Sequence, residues 1–214
     1  MKLYTLPGSP NSRKVVAVLN HLGMKAEIAA LDFSAGDTKK PEFVALNPNA
    51  MVPVLVDGDV TLWESNAINL YLVEKAGGSS LFPQNTKVRA DIVRWQFWEL
   101  AHFNRAFGTL VFEGVIKPKF GIGPPSEGLV EFCLQELGRY AAVLDGHLEG
   151  RDTLVGDEVT LADYAMICLE KYRSAIPFDW TPFANINRYF DAMRATDAWS
   201  RADLDLEAMR KVAA

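Results

Sequence analysis

Residues 52–63 read VPVLVDGDVTLW, two short apolar runs joined through Asp57-Gly58. An Asp-Gly pair tolerates the left-handed backbone angles of a tight hairpin, so the stretch predicts two antiparallel strands. Pro53 has no N–H to give to a ladder, which places it at the start of the first strand. Working outward, KLYTL at 2–6 and AEIAAL at 26–31 predict two more strands. Between them Val15, Val18, Leu19 and Leu22 mark one face of a helix that stops at Gly23. KPEFVAL at 40–46 predicts a short helix, and ESNAINLYLVEKAG at 64–77 a longer one, with Ile68, Tyr71, Leu72 and Lys75 at helical spacing. The order βαβ-α-ββα implies a four-stranded mixed sheet flanked by helices.

GGSSLFPQN at 77–85 has the Gly, Ser and Pro content of a linker. Beyond it, residues 87–211 show helical periods and almost no strand alternation. The sequence at 88–113 predicts one long helix crowded with Trp95, Trp98, Phe103, Phe107 and Phe112. Most such aromatics belong to a core, and some suit an apolar pocket facing the α/β unit. Ser126 is placed to cap the next helix, and Thr160 with Asp163 has capping-box spacing at the start of another, running through Ile167 and Tyr172. Further helices are predicted at 184–193 and 204–209.

The 214 residues carry 27 acidic and 22 basic side chains, a net charge of -5, with no long run of one sign. That excludes a Lys/Arg track for nucleic acid. No stretch of 18 apolar residues occurs, and the N-terminal apolar run is too short for export. With only Cys133 and Cys168, a disulfide scaffold is not indicated. The expectation is a soluble cytoplasmic protein with neither a membrane nor a nucleic-acid partner.

Chemistry concentrates at two strand-to-helix junctions. GSPNSRKV at 8–15 puts Ser9, Asn11 and Ser12 where free N–H groups and aligned peptide dipoles favour negative charge. A hydroxyl there can donate to an incoming thiolate or oxyanion. Plain capping by Asn11 or Ser12 accounts for the pattern equally well. Glu64-Ser65 opens the later helix; Ser65 reads as its N-cap, a role that accounts for it without any ligand, yet the same helix start can hold a carboxylate. A cis Val52-Pro53 bond would turn the Val52 backbone groups outward to a peptide-like ligand, but periodicity does not establish one. His21, His102 and His147 are scattered and form no metal motif. The first turn lacks the glycine pattern of a nucleotide loop, and no CxxC pair exists.

LPGSPNSRKV at 6–15, the stretch at 40–72 and TLADY at 160–164, in this order, resemble the cytosolic glutathione transferases over essentially the whole chain. The central stretch is the most specific, combining the Asn47-Pro48 loop, Val52-Pro53 before the hairpin and Glu64-Ser65 before the helix. The resemblance implies a thioredoxin-like α/β domain at 1–76, a linker at 77–86 and an all-helical domain at 87–214. Ser9, four residues before Arg13, is similar to the catalytic serine of the delta and phi classes. The same motif is similar to the bacterial nu pattern, which gives the sulfur contact to Asn11; the two assignments compete, with Ser9 favoured.

By the same resemblance Glu64 and Ser65 bind the γ-glutamyl end of glutathione, the Val52 backbone pairs with its cysteinyl unit, and Pro53 is cis. Lys39 or Lys40 meets the glycyl carboxylate. Met51 departs from the family, where delta enzymes commonly carry His and phi enzymes Gln. Asn104, Phe107, Val111 and Phe112, with Met51 nearby, would face the electrophile. Thr160 and Asp163 match the family's capping box and serve folding. The implied activity is conjugation of the glutathione thiolate to small apolar electrophiles by a cytoplasmic, metal-free homodimer of the detoxifying type. Rivals are a glutathione-dependent peroxidase, dehalogenase or isomerase, and a noncatalytic protein that uses the transferase fold for binding.

Overall fold

Strand β1 (Lys2–Thr5) pairs in parallel with β2 (Glu27–Ala30) and antiparallel with β3 (Val54–Asp57). β3 in turn pairs antiparallel with β4 (Val60–Trp63), giving the order β2-β1-β3-β4. The mixed four-stranded sheet read from the sequence is therefore present. The computed structural model describes residues 1–203, so the helix expected at 204–209 lies outside the described residues. Leu3 sits between Ile28 and Leu55 across the sheet, and Leu3, Val54 and Leu55 are fully buried.

The hairpin differs from the expectation by one residue. Asp57 faces Val60 as the last pair, so the loop is Gly58-Asp59 rather than Asp57-Gly58. Gly58 has φ 63°, and a Cβ there would meet nothing within 4 Å. Backbone angle, not space, selects glycine as the first residue of this two-residue turn. Asp57 instead ends the strand, where its carboxylate accepts the Tyr71 hydroxyl at 2.7 Å and lies 2.7 Å from the Lys75 ammonium. Pro53 stands just before β3, buried, and the Val52-Pro53 bond is cis.

Two compact units divide the chain: Met1–Pro83 together with the segment from Ala195, and Gln84–Arg194. In the first, α1 (Pro10–His21), a 3₁₀ turn at Asp37–Lys39, α2 (Pro41–Val44) and α3 (Ser65–Lys75) accompany the sheet. α1 packs on α3, and α3 on β3 and β4.

The second unit is helical. α4 (Thr86–Trp98), capped by the Asn85 side chain, runs into a π turn at Glu99–Phe103. α5 (Asn104–Val111) leads to a second π turn at Phe112–Ile116 and then α6 (Lys117–Phe120). The long helix expected here is thus widened twice, and each widened turn carries a buried carboxylate, Glu99 and Glu113. α7 (Glu127–His147), α8 (Leu161–Met166), a 3₁₀ stretch at Ile167–Ala175 and α9 (Ala184–Ala195) complete the unit. The helix expected to run through Tyr172 tightens to 3₁₀ after Met166 and ends at Ile176.

Glu113 explains how α7 begins. Its carboxylate accepts the Lys117 ammonium at 2.7 Å and the Ser126 backbone N–H at 2.6 Å, while the Ser126 hydroxyl makes no capping bond. These two donors, Lys117 first, hold the Glu113 pKa below its ordinary value. A lowered folded-state pKa contributes stability that is present above the unfolded value and lost as pH falls through the folded one. On acidification below about pH 4.3, the urea midpoint of the wild type should therefore fall more than that of Glu113→Gln.

At the start of α8 the capping box forms as read, and it reaches further than a cap. Asp163, fully buried, accepts the Thr160 N–H and hydroxyl at 2.8 and 2.9 Å, the Leu154 N–H at 2.8 Å and the Tyr189 hydroxyl at 2.9 Å. Burial and the adjacent carboxylate push the Tyr189 phenol well above its ordinary pKa, which keeps it a donor. Both cysteines are buried and neither forms a disulfide. Among the described residues no helix is long and apolar enough to cross a membrane.

Candidate active site

Ser9 occupies the N-cap of α1 with extended backbone angles, followed by Pro10 at the first helical position, where its missing N–H costs nothing. The Ser9 hydroxyl oxygen accepts the Ser12 N–H at 3.3 Å. Capping thus uses a lone pair and leaves the hydroxyl proton for another acceptor. The two readings of this turn are compatible in one residue. Ser12 is different: it is fully buried, and its oxygen accepts the Leu6 N–H at 3.4 Å, tying the end of β1 to α1.

Asn11 connects this turn to the other junction. Its side-chain oxygen accepts the Ser65 hydroxyl proton at 3.1 Å, across 54 residues of sequence. The starts of α1 and α3 are therefore side by side within one unit. The N-cap of α3 is Glu64 rather than the expected Ser65, which is the first helical residue. Glu64 has φ 70° and ψ 108°, a rare setting for a residue with a Cβ, and makes no side-chain capping bond. Such strain costs on the order of 1–3 kcal/mol and persists where surrounding structure enforces it. The first helical bond runs from the Ile68 N–H to the Glu64 carbonyl, so the N–H groups of Ser65, Asn66 and Ala67 have no intrahelical acceptor. That helix start favours an anion.

One supporting residue was not singled out in the sequence. Lys14 is fully buried, and its ammonium donates to the Asn66 side-chain oxygen at 2.8 Å, fixing the first turn of α3 from beneath. Its signal was a cation four residues before Val18, on the stripe that α1 buries.

The remaining predicted residues divide between the α/β unit and the helical unit. Lys39 and Lys40 are both exposed, and the Lys40 ammonium is 2.7 Å from Asp37. Met51 is 67% exposed while its carbonyl accepts the Asn47 amide at 2.8 Å. Asn104, Phe107 and Val111 share a face of α5 in the helical unit. Phe107 is fully buried against Phe103 and Trp180, Val111 is buried, Asn104 is half-buried, and Phe112 is exposed. No group of three or more His, Cys, Asp or Glu side chains is arranged to hold a metal ion among the described residues.

Fold and junctions together define a thioredoxin-like α/β unit in which two helix starts adjoin, followed by a helical unit. Residues 1–74 match the glutathione S-transferase N-terminal domain, and residues 103–197 match the C-terminal domain. Glutathione S-transferase 3 of Zea mays is 40% identical over 179 residues, covering 83% of this chain and 80% of its own. Glutathione transferase F7 from Populus trichocarpa superposes with a TM-score of 0.86 at 27% identity, over 94% of this chain and 96% of its own. Ure2p, solved in complex with glutathione, gives 0.83 at 27% identity over 94% and 91%. The chain belongs to the glutathione S-transferase family and is a glutathione transferase.

Proposed function

We propose that this enzyme activates the glutathione thiol at Ser9, holds the γ-glutamyl end at Glu64 and Ser65, and transfers the thiolate to small apolar electrophiles. The observation that carries the reading is the 3.1 Å hydrogen bond from Ser65 to Asn11, because one tripeptide can reach both helix starts only if they adjoin. The glutathione complex of the similar protein Ure2p supports the choice of ligand.

Ser9 is preferred over Ser12 because the Ser12 hydroxyl lies in the interior. The Asn11 oxygen accepts from Ser65, so the rival contact to the sulfur is the Asn11 NH₂, and the hydroxyl is chosen over it because its proton is not used by the cap. A carboxylate at the start of α3 meets the open N–H groups there, and the Val52 backbone pairs with the cysteinyl unit. Lys39 takes the glycyl carboxylate, since Lys40 is engaged with Asp37. Residues 1–76 form the glutathione-binding part, 77–86 the linker, and the chain from 87 supplies the electrophile site through Asn104 and Phe112, while Phe107 and Val111, buried in the helical unit, support these residues and do not touch the acceptor. The ring of Phe112 and the thioether of Met51 support an apolar acceptor. Family membership supports a cytoplasmic homodimer.

The energetics are sufficient without a general base. A free thiol with pKa about 8.5 is about 3% ionised at pH 7, and lowering that pKa by two units requires about 2.7 kcal/mol. One hydroxyl bond to an anion contributes about 1.5–3 kcal/mol and a helix N-terminus about 0.3–1 kcal/mol.

Turnover of an electrophile panel, with calorimetry of glutathione, tests the reading. Conjugation accompanied by binding is expected; binding without turnover across the panel would favour a noncatalytic role. Ser65→Ala should weaken glutathione about 10- to 150-fold while leaving the bound thiol pKa near its wild-type value, the loss of one hydrogen bond of about 1.5–3 kcal/mol that the hydroxyl makes to a charged group on turning from Asn11. Unchanged affinity in that variant would remove Ser65 from the site.

A further inference from the structure

The segment after α9 folds against α1. It comprises α10 (Asp197–Ser200) and residues 201–203, and it belongs to the same compact unit as Met1–Pro83. Two side chains of α1 hold it. The Arg13 guanidinium lies over the Trp199 ring, 4.3 Å from its centroid, and donates to the Trp199 carbonyl at 3.2 Å. Its Nε is also 3.2 Å from an Asp203 carboxylate oxygen. Two turns further along α1, the Asn20 amide donates to the Ala198 carbonyl at 3.1 Å. The contact is desolvated, with Arg13 8% and Trp199 1% exposed.

Arg13 also closes the first turn of the helix. Its backbone N–H donates to the Ser9 carbonyl at 3.0 Å. The residue whose side chain grips Trp199 is therefore the one whose backbone holds Ser9. Two attachments on one rigid helix fix its roll as well as its slide. A roll of about 15° moves an atom about 5 Å from the helix axis by roughly 1.3 Å, and a displacement near 1 Å is enough to cost about 100-fold in a positioned reaction.

We propose that Trp199 and Arg13 are positioning residues for thiol activation: the Trp199 segment sets the roll of α1, and with it the direction of the Ser9 hydroxyl. The proposal rests on the reading that Ser9 meets the glutathione sulfur. A cation at position 13 acting on the thiolate by charge alone would need no Trp199, and that difference makes the proposal testable.

Three full-chain variants, Trp199→Leu, Trp199→Phe and Asn20→Ala, are compared with the wild type. The readouts are the pKa of the bound glutathione thiol, from thiolate absorbance, and the glutathione Kd, from calorimetry. Trp199→Leu should raise the thiol pKa by about one unit, a tenfold loss of thiolate at pH values below both, with Kd changed less than about threefold. Trp199→Phe keeps a ring beneath Arg13 and should restore most of the shift. A lowered wild-type pKa that Trp199→Leu leaves in place overturns the proposal alone. A wild-type thiol titrating at its free value overturns the functional reading and the proposal together. Should Trp199→Leu fail to fold, Asn20→Ala removes the other attachment at a half-buried position, and an unshifted pKa there overturns the proposal equally.

Discussion

Ser9→Ala should raise the pKa of bound glutathione by about one to two units, the loss of one hydroxyl bond to a thiolate worth about 1.5–3 kcal/mol. At pH 6.5 conjugation should slow about tenfold or more, with the deficit shrinking as pH rises and the thiol ionises unaided. Calorimetry should find glutathione affinity much less affected, because Ser65 and the start of α3 are intact. The cap itself also weakens, since the Ser12 N–H loses its acceptor at 3.3 Å. Ser9→Thr, which keeps both cap and hydroxyl, separates that contribution from the thiolate bond. An unchanged thiol pKa in Ser9→Ala, alongside a raised one in Asn11→Ala, would transfer the role to Asn11.

The largest effect on stability is expected far from the chemistry. Asp163→Ala removes the acceptor of four hydrogen bonds and leaves two backbone N–H groups and the hydroxyls of Thr160 and Tyr189 without it. Buried donors stranded in this way cost about 1–3 kcal/mol each, but relaxation and partial rescue by water make the sum smaller. A loss of about 3 kcal/mol is expected, because the stranded donors are neutral and the cost of burying the carboxylate disappears with it. Urea unfolding measures it, and an unchanged midpoint would show that the network contributes nothing net. Asp163→Asn keeps one acceptor but turns an NH₂ toward a donor, so it should recover only part of the loss.

The parts of the fold that local chemistry dictates were legible in the sequence. Pro53 lies just outside β3, where its missing N–H requires it, and Thr160 and Asp163 form their capping box. The Asp57-Gly58 turn was misplaced by one residue because the Asp-Gly pattern marks a turn without fixing its register. The partners of Asp57, Tyr71 and Lys75, lie on α3 and are invisible to a local reading. The π turns at Glu99 and Glu113 were missed for a similar reason: apolar spacing reports which side of a helix is buried, not an extra residue in one turn. Of the site, Ser9 and the Glu64-Ser65 junction could be read as helix starts. Their adjacency could not, because the bond from Ser65 to Asn11 depends on how α1 packs on α3. The buried role of Lys14 and the grip of Arg13 on Trp199 depend on tertiary contacts in the same way.

The most direct measurement is a crystal structure of this enzyme with glutathione bound. One tripeptide should lie across both helix starts, its sulfur within hydrogen-bond distance of the Ser9 hydroxyl and its γ-glutamyl carboxylate on the open N–H groups of α3 beside Ser65. Glutathione bound elsewhere, or with its sulfur turned away from α1 while its other end occupies α3, would contradict the account.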